Sequence, residues 1–262
     1  MVKTKISITI NEKTLQDIDS IVDNIYIRNR SQAIEHLAKY ALGENKTAVI
    51  LLGGDEEKLK VSKDIYRPLA ETHGSIVITL AVKKLRENNF RTIYVIARQK
   101  LLTRIFELLK DGTDYGVKIS YIEEKSSDGS ADSLRLLKGR IKNNFLVVYG
   151  DIIFSKISIE SLWNEHIKKN AIATIMLTTS PKPSEKGTVR VEGNRVLSFT
   201  QKPKESDIYL VFSPIFVAEP HIFEYHGASL EFNVFPELAK KGLLNSHLSS
   251  EKELHIHSVK NL

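Results

Sequence analysis

Apolar and polar residues alternate strictly at the start of the chain. Between Lys3 and Ile10, isoleucines occupy positions 6, 8 and 10, while Lys5, Ser7 and Thr9 occupy the positions between them. Successive side chains of a strand point to opposite faces, so this pattern predicts a strand with one apolar and one polar face.

Helical spacing replaces the alternation after residue 10. Asn11 is suited to cap a first helix and Asn29 a second one, and each helix has an apolar stripe. One strand and two helices in about 42 residues are too few to close a hydrophobic core alone. The segment therefore predicts a dimer.

A polar stretch at residues 43–46 separates this segment from a longer one with a different pattern, and we expect domains over 1–45 and 46–262. In the longer segment, apolar runs alternate with amphipathic helices, and strands and turns dominate after residue 187. The fold class expected is α/β, with a Rossmann-like, mostly parallel sheet covered on both faces. The predicted strands are 47–52, 92–97, 118–122, 144–149, 171–177, 188–191 and 195–200, and helices are predicted over 76–88 and 101–110.

The amino-acid composition limits the classes of protein and the kinds of site to be expected. The 262 residues are 42% hydrophobic and 27% charged, which suits a folded chain. The absence of cysteine excludes disulfides, thiolate metal sites and thiol nucleophiles. With no apolar run long enough to span a membrane, we expect a cytoplasmic protein without a membrane partner. The net charge of +6 suggests a polyanionic partner, yet residues 1–46 carry only +1 of it.

Residues 3–42 closely resemble the ribbon-helix-helix family of DNA-binding proteins, of the Arc and MetJ type. The resemblance implies that two chains pair their strands into a ribbon that enters the major groove of double-stranded DNA. It implies a homodimer, two of which can pair into a tetramer on DNA, and phosphate contacts at the start of the second helix. The implied DNA-binding residues are Lys5, Ser7, Thr9, Arg28, Asn29, Arg30 and Ser31. The alternative is an arm that only dimerises.

Two buried strands in the longer segment end in residues suited to phosphate chemistry. The run 48–52 leads into Gly53-Gly54, where backbone can approach a phosphate closely. The run 147–149 leads into Gly150-Asp151, which places a carboxylate at the same edge of a parallel sheet. Such a carboxylate suits Mg²⁺ bound together with substrate phosphates.

These runs resemble the sugar-phosphate nucleotidyltransferases, the NDP-sugar pyrophosphorylases, over residues 47–262. Matching segments include 67–69, 128–131, 187–189, 201–203, 230–231 and 234–236. The resemblance implies a domain that joins a nucleoside triphosphate to a sugar 1-phosphate and releases pyrophosphate. Mg²⁺ is implied at Asp151 when a nucleotide is bound. The implied ligand-binding residues are Gly53, Gly54, Lys58, Arg67, Gly129, Ser130, Asp151, Gly187, Gln201 and Lys202.

Several departures from the family pattern fall on its chemistry. Glu56-Glu57-Lys58 stands where the family has a flexible Gly-Thr-Arg, and two carboxylates there would repel a triphosphate. His255 falls at the position of a second metal-binding Asp, and imidazole is a poor ligand for Mg²⁺. Gln201 replaces a Glu, and 212–214 replaces an Asn-Ala-Gly segment that contacts sugar.

Two of these departures have other interpretations. Glu56 and Glu57 could belong to a solvated loop and leave the phosphate site open. His255 and His257 share one strand face and could bind a transition metal.

The departures favour a DNA-binding transcriptional regulator. Its nucleotidyltransferase-like domain would be catalytically impaired and would serve as a sensor of a nucleotide or sugar nucleotide, or as an interaction module, with no residue assigned as catalytic. One alternative is an active sugar-1-phosphate nucleotidyltransferase with a DNA-binding or dimerising arm. Another is an architectural DNA-binding protein with an inert second domain.

Overall fold

The computed structural model describes residues 4–23, 27–41, 46–62, 65–72, 74–169 and 171–256. The chain divides into two compact units, residues 1–45 and residues 46–262. Within the described ranges, every helix is too short or too polar to cross a membrane.

The first unit contains helices α1 (Glu12–Ser20) and α2 (Arg30–Ala41). The Asn11 side chain accepts a hydrogen bond from the Thr14 backbone N–H at 2.8 Å, and the Asn29 side chain accepts one from Gln32 N–H at 3.0 Å. Both predicted N-caps are thereby confirmed.

The strand predicted over the first ten residues is wrong for the single chain. Residues 4–10 have no β-pairing, and Lys3 lies outside the described residues. A strand needs a neighbouring strand to bind its backbone N–H and C=O groups. The described part of this unit otherwise consists of two helices, so it offers no such neighbour.

The described part of the second unit contains fifteen strands and five α-helices. The strands are β1 (Lys46–Leu52), β2 (Lys60–Ser62), β3 (Ile65–Tyr66), β4 (Glu71–Thr72), β5 (Ser75–Ile76), β6 (Phe90–Ala97), β7 (Lys118–Glu123), β8 (Phe145–Tyr149), β9 (Ile152–Ile153), β10 (Ala173–Thr179), β11 (Gly187–Glu192), β12 (Arg195–Gln201), β13 (Leu210–Ala218), β14 (Leu244–Leu248) and β15 (Leu254–His255). The helices are α3 (Val77–Glu87), α4 (Gln99–Leu109), α5 (Ser130–Arg135), α6 (Ile159–Lys168) and α7 (Phe235–Lys240).

Nine of these strands form one sheet in the order β10-β14-β12-β11-β13-β8-β1-β6-β7. Strands β8, β1, β6 and β7 are parallel, as predicted. The prediction of a mostly parallel sheet fails beyond β8, because β13 is antiparallel to β8 and β11 and β12 form a hairpin. Strand β10 pairs with both β13 and β14, so this half of the sheet closes on itself.

Strand β1 shows how the core is divided between the two faces of the sheet. Ala48, Ile50 and Leu52 pack in the cluster that contains the buried faces of α3, α4 and α6. Val49 and Leu51 point the other way, into the cluster that contains α5 and α7. The alternation of strand side chains thus buries both faces, and it leaves the carboxyl ends of β1 and β8 side by side.

Candidate functional site

The turn after β1 is held by a buried carboxylate. The Gly54 N–H donates to Glu124 Oε2 at 2.6 Å, and Gly54 has a φ of +97°, a conformation that favours glycine. The Ser133 hydroxyl donates a hydrogen bond to the other oxygen of Glu124. Glu124 is only 1% exposed. Sequence reasoning found Gly53 and Gly54 but missed Glu124, which follows β7 directly.

We expect Gly53→Ala to destabilise the second unit by about 1–3 kcal/mol, through overpacking. A Cβ at residue 53 would lie 2.5 Å from Glu124 Oε1 and 2.9 Å from Ser133 Cβ. Urea unfolding of the full chain measures the loss. Gly139→Ala measures the cost of a positive φ alone, since a Cβ there meets nothing within 4 Å, whereas Gly53 has no positive φ. A Gly53→Ala variant as stable as wild type would contradict the steric argument.

The acidic segment that follows the turn is a short 3₁₀ helix, Glu56–Leu59. Glu56 accepts a hydrogen bond from the Leu101 N–H at 3.2 Å, at the start of α4. Glu57 pairs with the ammonium of Lys60 at 2.6 Å, and its side chain is 73% exposed. Lys58 is exposed. Both carboxylates therefore have partners: Glu57 pairs within this segment, and Glu56 accepts a hydrogen bond from α4.

Asp151 lies at the carboxyl end of β8, beside the end of β1. Arg67, in the short 3₁₀ turn Arg67–Leu69, reaches it with Nη1 at 3.2 Å from Oδ2. Both side chains are mostly buried, and the buried Nε of Arg67 has no hydrogen-bond partner within the described residues. The structure thus joins two predicted ligand-binding residues in one ion pair.

Ser130, which Gly129 directly precedes, reaches the site through Glu231. Ser130 donates its hydroxyl to Glu231 Oε2 at 2.7 Å and Ser229 donates to the same oxygen at 2.8 Å, while Tyr149 donates to Oε1. Burial and the Glu231 carboxylate raise the pKa of Tyr149 well above its ordinary value, so the phenol keeps its proton. Glu231 is thereby a fixed acceptor.

Tyr149, Asp151 and Glu231 line a cavity of about 180 Å³. Pockets for drug-sized ligands are typically about 300–1,000 Å³, so this cavity suits one small group. Three predicted residues, Asp151, Gly187 and Gln201, line it. The other seven do not: Gly53, Gly54, Lys58, Arg67, Gly129, Ser130 and Lys202. The full lining is Tyr149, Asp151, Glu185, Lys186, Gly187, Gln201, Phe212, Pro214, Glu231 and His255.

A second buried carboxylate, Glu253, lies behind the cavity. Its Oε1 accepts hydrogen bonds from Lys186 Nζ and from His255 Nε2, each at 3.0 Å. Burial raises the pKa of Glu253, but the hydrogen bond from His255 and the charge and hydrogen bond of Lys186 outweigh it and bring the pKa to about 2. Sequence reasoning missed Glu253 and Lys186, which are far apart along the chain.

The sequence profile of the nucleotidyl transferase family matches residues 47–252. The chain belongs to this family. It is 26% identical over 179 residues to the bifunctional protein GlmU of Methanococcus aeolicus, covering 68% of this chain and 41% of that protein. It is 23% identical over 202 residues to the mannose-1-phosphate guanylyltransferase of Mycobacterium tuberculosis, covering 74% of this chain and 56% of that protein. The chain thus spans about half of the length of these relatives.

A solved structure shows the same nucleotidyl transferase fold. It is a Bacillus anthracis protein assigned as a glucose-1-phosphate thymidylyltransferase, in complex with sucrose. The TM-score is 0.75 at 20% identity, over 82% of this chain and 92% of that chain. The α/β nucleotidyltransferase fold predicted for the second unit is therefore confirmed.

The main function predicted from the sequence, a DNA-binding regulator with an impaired second domain, is wrong. The relatives of this nucleotidyl transferase are named as sugar-phosphate nucleotidyltransferases, which favours the active-enzyme alternative. The prediction took Glu56 and Glu57 to repel a bound triphosphate. In the structure, Glu56 accepts a hydrogen bond from α4 and Glu57 pairs with Lys60.

The residues predicted to contact DNA are all exposed in the first unit. Arg30 is held by Asp19, with Nε–Oδ1 and Nη2–Oδ2 distances of 2.6 and 2.7 Å. The hydrogen bond from Arg30 lowers the pKa of Asp19. Contacts of this unit with DNA stay a prediction. The seven residues are Lys5, Ser7, Thr9, Arg28, Asn29, Arg30 and Ser31.

The chain's own residues can hold Mg²⁺ only if substrate phosphates supply further oxygen ligands. No group of three or more His, Cys, Asp or Glu side chains within the described ranges is arranged to hold a metal. Asp151 supplies one carboxylate, and Mg²⁺ is commonly held by one or two carboxylates and substrate phosphates. His255 binds Glu253 through Nε2, and His257 of the predicted histidine pair lies outside the described residues.

We expect Arg67→Met to raise the affinity of the nucleotide-free protein for Mn²⁺ about fivefold. The variant releases Asp151 from an ion pair worth up to about 1 kcal/mol. Titration followed by the electron paramagnetic resonance of free Mn²⁺ measures the change. Arg190→Met is the control, since its pair with Asp207 is exposed and 3.8 Å long. Unchanged Mn²⁺ affinity in Arg67→Met would show that the ion pair does not compete with the metal.

Proposed function

We propose that this chain is a sugar-1-phosphate nucleotidyltransferase, which joins a nucleoside triphosphate to a sugar 1-phosphate and releases pyrophosphate. The observation that carries the proposal is the cavity at the carboxyl end of the parallel strand β8, with Asp151 in its lining and Arg67 paired with Asp151. Ligands of open α/β sheets bind at this edge. The names of the relatives support the same reaction class.

The chemistry is one displacement at phosphorus. A phosphate oxygen of the sugar 1-phosphate forms a bond to the α-phosphorus of the triphosphate. The bond from the α-phosphorus to the bridging oxygen breaks, and that oxygen leaves with the electron pair as part of pyrophosphate. Catalysis of such a transfer consists mostly of positioning and charge stabilisation.

Different residues of the site would bind the nucleotide, the phosphates and the sugar. Gly53 and Gly54 bring backbone close to the nucleotide, since neither carries a side chain. Arg67 offers planar guanidinium donors to phosphate oxygens. Glu231, fixed by three hydroxyl donors, accepts hydrogen bonds from sugar hydroxyls in the cavity. Mg²⁺, held by Asp151 together with substrate phosphates, would stabilise the charge of the leaving pyrophosphate.

A substrate panel tests the proposal. The full chain is incubated with Mg²⁺, one of five nucleoside triphosphates, and glucose, mannose, galactose or N-acetylglucosamine 1-phosphate. We expect nucleotide sugar and pyrophosphate in equal amounts for at least one pair, measured by mass spectrometry and a coupled pyrophosphate assay. Reactions without sugar phosphate control for hydrolysis of the triphosphate. A folded chain that forms no nucleotide sugar with any pair would overturn the proposal.

For the first unit, we propose a ribbon-helix-helix arm that dimerises the enzyme. Ile6 and Ile8 share one side of an alternating segment and are 71% and 53% exposed. Large apolar side chains exposed side by side favour a protein partner. A second copy of the segment would bury them and would also provide the missing strand neighbour.

We expect Ile8→Asp to shift the full chain from dimer to monomer at micromolar concentration, because it places a charge on the buried face of the ribbon. Light scattering after size-exclusion chromatography gives the mass. Ser7→Asp is the matched control, since its side chain lies on the opposite face and should leave the dimer intact. A wild-type monomer, or equal dissociation of both variants, would contradict the dimerising arm.

A further inference from the structure

We propose that a second cavity, beside the β9–β15 pair, binds an organic anion with an apolar body. This cavity measures about 570 Å³, within the range of about 300–1,000 Å³ typical of small-molecule sites. The inference goes beyond the proposed function, because the transfer of a nucleotidyl group requires no such ligand. The lining consists of Thr72, Ser75, Leu80, Ile153, Ser155, Lys156, Lys252 and Leu254.

The apolar part of this lining comes from α3 and from the β9–β15 pair. Leu80 belongs to α3, and Leu254 of β15 lies directly opposite Ile153 of β9. Side chains directly opposite each other in an antiparallel pair share one face, so Leu254 and Ile153 form a continuous apolar floor with Leu80. Leu254 is 45% exposed. An exposed leucine within a concave surface favours a ligand that covers it with apolar atoms.

The charges of the lining favour an anion. Lys156 and Lys252 are its two charged residues, and the described lining contains no Asp or Glu. Both lysines are exposed, and neither forms an ion pair with another residue that the structure describes. Lys186, at the cavity that contains Asp151, is by contrast paired with Glu253. Two ammonium groups without acidic neighbours create a positive potential that attracts an anion.

Hydroxyl groups in the lining suit the oxygen atoms of such an anion. Ser75 of β5 and Ser155, two residues after β9, lie in the same lining as the two lysines. A serine hydroxyl donates one hydrogen bond and an ammonium donates three, so these groups together match a phosphate or carboxylate head group. The apolar body of the ligand then lies on the leucines and the isoleucine of the floor.

The β9–β15 pair separates this second cavity from the one that contains Asp151. Leu254 lines the second cavity, and the next residue of β15, His255, lines the Asp151 cavity. Successive side chains of a strand point to opposite faces, which places the two cavities on opposite faces of the pair. The two linings share no described residue. A ligand in the second cavity is therefore expected to bind without displacing a substrate.

Three probes test the two halves of the proposed ligand by titration calorimetry of the full chain. Octyl phosphate carries an anionic group and an apolar body, inorganic phosphate carries only the anionic group, and octyl glucoside carries only the apolar body. All are used below their micelle concentrations. We expect octyl phosphate to bind at least about tenfold more tightly than either of the others, because it alone uses both the floor and the lysines.

A pair of double variants locates the bound probe. Lys156→Met combined with Lys252→Met should weaken the binding of octyl phosphate about tenfold, since it removes both cations of the lining. Lys168→Met combined with Lys169→Met is the matched control. It removes the same charge from two exposed lysines at the end of α6, outside both linings, and should bind octyl phosphate as wild type does.

Several results would overturn the inference. Octyl phosphate that binds no more tightly than inorganic phosphate would remove the apolar floor from the site, and equal losses in the two double variants would remove the lysines. Displacement of octyl phosphate by a triphosphate or by glucose 1-phosphate would place it in the Asp151 cavity. Sedimentation of the protein with phosphatidate vesicles would assign the lysines to a membrane surface instead. Every readout is binding, so the result does not depend on whether the chain forms a nucleotide sugar.

Discussion

We expect Asp151→Asn to lower kcat for nucleotide-sugar formation by about 10²–10³-fold. Charge stabilisation by a bound metal supplies several kcal/mol to such a reaction, and each 1.36 kcal/mol is a factor of ten in rate. Asparagine keeps the shape of the side chain but removes the charge that would hold Mg²⁺ at the end of β8. Initial rates of pyrophosphate release at saturating substrates measure the change.

Two comparisons make this result specific to the site. Asp207→Asn removes a carboxylate whose side chain is 89% exposed, and it should keep full activity. Thermal unfolding of Asp151→Asn shows whether the loss of the Arg67 ion pair also destabilises the chain. An Asp151→Asn enzyme within about threefold of wild type, at normal stability, would remove this carboxylate from the mechanism.

The local elements of this fold follow closely from the sequence. Asn11 and Asn29 cap helices because their short side chains reach backbone N–H groups three residues on. The apolar run of β1 becomes a central strand because both of its faces are covered. Closure of the antiparallel half was not predictable in this way, because β10 pairs with β13 and β14 through contacts distant along the chain.

The site shows the same division between local and distant contacts. Gly53, Gly54 and Asp151 were found because each follows a recognisable buried strand. The partners that fix their neighbourhood lie far away, with 70 residues between Gly54 and Glu124, and 84 between Arg67 and Asp151. Glu56 was judged by its place after the glycines, yet its hydrogen bond to Leu101 spans 45 residues. Reading charge from sequence position alone produced the wrong main function.

The second large effect concerns stability. We expect Glu253→Gln to lower the free energy of unfolding by about 3 kcal/mol at pH 7. The pKa of this buried acid falls from an ordinary 4.5 to about 2 in the folded chain, and each unit corresponds to about 1.36 kcal/mol. Lys186 and His255 would lose the charge that holds them, in keeping with the cost of breaking a buried pair.

The pH dependence gives the sign of the effect. A carboxylate whose pKa is depressed in the folded state stabilises the fold fully above its unfolded pKa. That stabilisation is lost as the pH falls from about 4.5 towards about 2, so the difference between wild type and Glu253→Gln should shrink over this window. Urea unfolding at a series of pH values measures it.

Glu251→Gln controls for the loss of a negative charge in the same segment. Glu251 is exposed, and surface substitutions usually change stability by less than about 0.5 kcal/mol. If Glu253→Gln matched this control at pH 7, the buried carboxylate would not be the anchor of Lys186 and His255. A difference that grew below pH 4 would reverse the sign argued for Glu253, because it would require a pKa raised by burial instead of one lowered by Lys186 and His255.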